Sequence, residues 1–160
     1  PEQEHPGRVT APNSTSTDLE RKVNFKMGAD FSGYATANDL RCSDGRVIKA
    51  GAFKHQDKIR VPLVWQHQHN SPENILGHAI LENREKGVYA YCYCNDTKQG
   101  QNAKQLVKHG DIEALSIYAS NLAQRGSDVL HGDIKEVSLV LSGANPGTVT
   151  DPRSLSSQRL

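Results

Sequence analysis

The chain has 160 residues, a length at which one domain buries about 68–70% of its unfolded surface in a single core. Lys plus Arg number 19 against 18 Asp plus Glu, so net charge creates no field of the kind that draws nucleic acid or an anionic membrane. Cys42, Cys92 and Cys94 are an odd set in a chain that needs no covalent staples, which points to a reducing compartment; with no apolar run of membrane-spanning length and no secretory-type start, a soluble, untargeted protein is expected.

In chain order, residues 1–21 are rich in Pro, Ser, Thr and charge and offer little to bury, so they are predicted to be a flexible tail. From Val23 onward, short apolar segments alternate with Gly, Asn and Asp punctuation: VNFKM, FSGYATA, RVIKAGAF, VPLVWQ, ILGHAIL and GVYAYCYC. Each has strand length. ILGHAIL and GVYAYCYC make a hairpin around the polar turn ENREKG. In its second strand Val88, Ala90, Cys92 and Cys94 share one face and Tyr89, Tyr91 and Tyr93 the other, as expected of a strand covered on both sides. Between Asp96 and Gly110 the period changes: Thr97 can cap a helix with Ala103, Leu106 and Val107 on one face, closed by Gly110. EALSIYASNL and IKEVSLVLS return to strand character, and residues 149–160 read as a flexible exit tail. The expectation is one domain over 22–148, mainly β (α+β), with an antiparallel, barrel-like core and a few helices.

VWQHQHN places His67 and His69 two apart. Together with His78, Cys92 and Cys94 they are ligand types that zinc accepts, but HQH and CYC lack the usual spacing and the cysteines sit mid-strand among tyrosines. No metal is expected there. A nucleophile-elbow G-x-S-x-G is absent. In EALSIYAS, alternation puts Ala114, Ser116 and Tyr118 on one face, so Ser116 interrupts an apolar strand; a structural hydroxyl bonded to a neighbour is the plain reading. In IKEVSLVLSGANPG, Glu136 lies opposite Val137, Leu139 and Leu141, on the face with Ser138 and Val140. A carboxylate there wants a partner, at an edge or in a salt bridge. The SGANPG turn has backbone N–H groups free to meet solvent or an oxyanion.

Taken together, FSGYATA, DGRVIKAGAFK, VPLVWQHQHN with GHAILE, KGVYAY, KHGDIEALSIY and IKEVSLVLSGANP resemble the caudoviral prohead (capsid maturation) serine protease family over about residues 31 to 147. That family is similar in layout to the herpesvirus assemblin proteases, so the resemblance implies a herpesvirus-protease-like fold. It implies that Ser116 is the nucleophile, His67 the general base, and Glu136 the orienting group, standing where assemblins have a second histidine. Backbone amides of Ala144 and Asn145 would be oxyanion donors, although assemblins have an arginine pair there. His131 and Asp133 remain alternatives to Glu136, and His69 to His67; the family pattern, with the histidine directly after WQ, favours His67.

The implied activity is a serine endopeptidase without metal or cofactor. Its substrates would be the scaffolding protein and the delta domain of the major capsid protein, inside an immature phage prohead in the host cytoplasm, with self-cleavage. Homo-oligomerisation stays open, and no nucleic-acid or membrane partner is implied. A catalytically silent capsid-assembly module of the same fold is the other reading.

Overall fold

The computed structural model describes residues 28–141 and the backbone of 150–151. The N-terminal tail, the strand expected at VNFKM, and Ala144 and Asn145 lie outside the described residues. The elements in chain order are β1 (Phe31–Tyr34), β2 (Val47–Ile48), a 3-10 turn (Lys54–Gln56), β3 (Arg60–Trp65), a second 3-10 turn (Pro72–Asn74), β4 (Ile75–Asn83), β5 (Val88–Cys94), α1 (Lys98–Lys108), β6 (Ala114–Arg125), β7 (Asp128–Val140) and β8 (Thr150–Asp151). The strands form one sheet in the order β2-β7-β3-β4-β5-β1-β8, with β6 on the remaining side of β7. Most neighbours are antiparallel, whereas β7 runs parallel to both β2 and β3. Thr150 and Asp151, inside the predicted exit tail, pair with Gly33 and Ser32 of β1.

Ile48 from the β2 end of this order and Phe31 from the β1 region share one buried cluster with Leu63, Leu81, Leu115 and Val137. Strands so far apart in a sheet meet only if the sheet curls around its own core, and the barrel-like expectation holds in that sense. β5 is covered on both faces: Val88, Ala90 and Cys92 enter the main core, while Tyr89 and Tyr91 pack in a second cluster with Ala29. Over that second face the Arg84 guanidinium lies 3.7 Å from the centroid of the Tyr89 ring.

The helix forms where the period changes. Thr97 accepts a hydrogen bond from the Gly100 amide at 3.0 Å, Ala103 and Val107 are buried, and Gly110 follows with φ +79. Two strand predictions change. RVIKAGAF contributes only Val47–Ile48, because Gly51 turns the chain at φ +82 and Ala52 and Phe53 enter the core before the 3-10 turn. Of IKEVSLVLS, residues 134–140 are the second half of the 13-residue β7, joined to β6 by a two-residue turn whose first residue, Gly126, has φ +62.

One irregularity sets the site. Tyr118 pairs with Glu136 and Ala119 with Ile134, so Lys135 is an extra residue on β7. This β-bulge shifts the strand's phase. Ile134, two residues before Glu136, packs into the core with Val137 and Leu139, while Glu136 and Ser138 turn to the other face.

Candidate active site

β3 ends at Trp65, and the chain reverses through Gln66 and His67, whose φ values are +51 and +59. The Gln68 amide closes this turn on the Trp65 carbonyl at 2.9 Å. Two consecutive residues with a Cβ in the left-handed region cost of order 1–3 kcal/mol each, and such strain persists where surrounding bonds over-determine it. Here they do. The Gln66 amide donates to the Leu139 carbonyl at 3.0 Å, and the His67 amide donates to Ser138 Oγ at 3.0 Å. Pairing of Trp65 with Leu139 thus positions the His67 backbone over β7.

Glu136 is 2% exposed and, among the described residues, makes three side-chain contacts. Oε2 lies 3.1 Å from His67 Nδ1 and 3.2 Å from His69 Nδ1, and Oε1 accepts from Ser138 Oγ at 2.6 Å. Burial alone would raise its pKa; the hydrogen bonds from His67 and Ser138, with smaller contributions from the His67 charge and the His69 bond, outweigh it and hold the carboxyl below its ordinary value. An ionised carboxylate only accepts, so His67 Nδ1 is the donor in this pair. In the neutral ring Nε2 then keeps a lone pair.

Ser116 stands directly opposite Ser138 in the β6–β7 ladder, and Tyr118 opposite Glu136. Opposed residues of an antiparallel pair project to the same face with Cα atoms about 4.5–5.5 Å apart, so Ser116 shares its face with Ser138 and Glu136. It is partly exposed. Among the described residues no hydrogen bond joins Ser116 to His67. Beside Ser116 a pocket of about 100 Å³ is lined by Thr36, Cys42, Phe53, Ile117 and Leu122, with Asp44 and Arg46 also at its wall.

The structure therefore brings His67 and Glu136 into contact and Ser116 onto their face. His69, the alternative to His67, reaches the same carboxylate oxygen and packs against Tyr118 with ring centroids 5.4 Å apart. The alternatives His131 and Asp133 engage His55 and Asn121 instead. Ser138 had no predicted role; its signal was its place two residues after Glu136 on the same strand face. The zinc-type residues do not gather: His78 stacks on Tyr93, while Cys92 and Cys94 lie on the opposite face of β5. Burial pushes the Cys92 thiol well up and that of Cys94 up to about 12, so neither offers a thiolate.

Residues 17–159 match the family described as caudovirus prohead serine protease. The chain belongs to the caudovirus prohead serine protease family. No curated protein matches it. Among solved structures, this prohead protease family member is similar to the protease of Kaposi's sarcoma herpesvirus in complex with a hexapeptide phosphonate inhibitor, at 14% identity and a TM-score of 0.54, covering 75% of this chain and 62% of that one. A second structure of that herpesvirus protease matches at 15% identity and a TM-score of 0.47, covering 75% of this chain and 58% of the other. The chain thus spans less than two thirds of the length of these herpesvirus proteases, and the first match, at its low identity, speaks to a shared fold alone.

Proposed function

We propose that the chain is a serine endopeptidase in which Ser116 is the nucleophile, His67 the general base and Glu136 the orienting carboxylate. The contact between His67 Nδ1 and the buried Glu136 Oε2 at 3.1 Å is the observation that supports it best, because a carboxylate bound at Nδ1 selects the tautomer whose Nε2 can take a proton. Ser116 Oγ attacks the peptide carbonyl while its proton passes to His67 Nε2, and the developing imidazolium is stabilised by Glu136. His67 then returns the proton to the leaving amine, and a water activated by the same imidazole hydrolyses the acyl-enzyme. Backbone amides of Ala144 and Asn145 donate to the oxyanion in this reading. The substrates are the scaffolding protein and the delta domain of the major capsid protein within the immature prohead, with self-cleavage; family membership motivates this setting.

The test is covalent labelling by a peptide phosphonate, the inhibitor class in complex with the herpesvirus protease, together with cleavage of a capsid or scaffold substrate. Wild type should be labelled at Ser116 and cleave; Ser116→Ala should do neither while unfolding at the same urea concentration. Cleavage by Ser116→Ala at the wild-type rate would sink the mechanism. A folded wild type inert to both probes would favour the silent assembly module.

A further inference from the structure

We propose that His55, His131 and Asp133 form a binding site for a zinc-class divalent cation on the N-terminal half of β7. The three ligand atoms lie within 4.8 Å of one another. His55 Nε2 is 2.9 Å from Asp133 Oδ1, and the His55 and His131 rings stack with centroids 4.3 Å apart. His131 and Asp133 are two apart on one strand, so both project to the same face. Gly132 between them is buried, and a Cβ there would come within 2.6 Å of Leu122 Cδ2 and 3.0 Å of Phe53; its backbone is pressed onto the core.

Two of the ligands, His55 and Asp133, are held from behind. The 3-10 turn bearing His55 is clamped to β7 by Gln56, whose Nε2 donates to the Ile134 carbonyl at 3.0 Å and whose Oε1 accepts from the Ile134 amide at 2.7 Å. The Gly132 amide also donates to the Ala52 carbonyl at 3.3 Å. Asp133 Oδ2 accepts from Asn121 Nδ2 at 2.8 Å, which directs Oδ1 towards the histidines, as a supporting group orients a ligating carboxylate. The other carboxylate oxygen, Oδ1, is the one beside His55 Nε2.

Two imidazole nitrogens and one carboxylate oxygen suit zinc, whose bonds of about 2.0–2.2 Å place tetrahedral donors about 3.3 Å apart, with water at the fourth position. The exposed His131 ring can close the wider gap by rotation. Bound metal would tie the 3-10 turn to the strand bearing Glu136 and Ser138.

The experiment uses the full chain with Ser116→Ala, stripped by chelator and titrated with Zn²⁺ by calorimetry, with thermal unfolding recorded with and without metal. One Zn²⁺ per chain and a raised Tm are expected. His131→Ala should lose both effects while its metal-free Tm stays near that of the parent, and Asp133→Asn should lose both effects from a somewhat lower metal-free Tm, since its carboxylate bonds Asn121 and His55. Asn121→Gly, which keeps the left-handed backbone at φ +54, should weaken affinity about ten- to a hundred-fold. Absence of Zn²⁺ binding, or binding that survives His131→Ala and Asp133→Asn, overturns the proposal. None of these readouts depends on peptidase activity, so this site and the proposed nucleophile fail or stand separately.

Discussion

A carboxylate that is 2% exposed needs donors to stay ionised, and Glu136 has His67, His69 and Ser138. The two histidines are not equivalent despite sharing an oxygen. His67 is fixed by its amide on Ser138 Oγ and by the strained turn, whereas His69 has a half-exposed side chain that, among the described residues, packs at its other side on Tyr118. His67→Ala should abolish peptide cleavage. His69→Ala removes one of three hydrogen bonds to Glu136, and about tenfold in kcat is expected, within the range of a partly exposed bond to a charged acceptor. Steady-state kinetics on one peptide substrate would distinguish them, and equal losses would make His69 a second essential imidazole.

Among the elements, β7 is the one on which both sides of the molecule depend. Its bulge at Lys135 lets Ile134 enter the core and Glu136 face the site, although both positions have the same parity. Without that extra residue a strict two-residue period would keep Ile134 and Glu136 on one face, either burying the carboxylate with Ile134 or exposing Ile134 with it. The helix is simpler. Thr97→Ala removes the acceptor of the Gly100 amide and should lower stability by about 1 kcal/mol, read as a lower urea midpoint with unchanged slope. A midpoint equal to wild type would mean that water caps the helix equally well.

For the whole molecule, the depressed carboxylates set the response to acid. The folded-state pKa values of Glu136, Asp133 and Asp44 all lie below their ordinary values: bonds from His67 and Ser138 outweigh burial at Glu136, the Asn121 bond lowers Asp133, and the Arg46 bond lowers Asp44. A depressed group contributes stability that is present above its unfolded pKa and is lost as pH falls through the folded value. Urea midpoints should therefore fall on acidification below the ordinary carboxylate range. Glu136→Gln should be less stable than wild type at neutral pH, with the gap narrowing as acid removes the wild-type charge. Parallel curves for the two proteins would show that Glu136 adds nothing to the acid limb.

Local pattern was enough for the parts of this protein that depend on nearest neighbours. The Thr97 cap and helix, the two faces of β5, the hairpin through ENREKG, and the family motifs around His67, Ser116 and Glu136 are written in short windows, because periodicity and capping act over a few residues. What only the tertiary structure decided rests on contacts between distant segments. The parallel seating of β3 on β7 brings the His67 amide to Ser138, His69 reaches the same carboxylate as His67, and the bulge turns Glu136 away from the core. His55 meets His131 and Asp133 for the same reason: the curled sheet and the Gln56 clamp bring together ligands that no spacing rule along the chain could have paired.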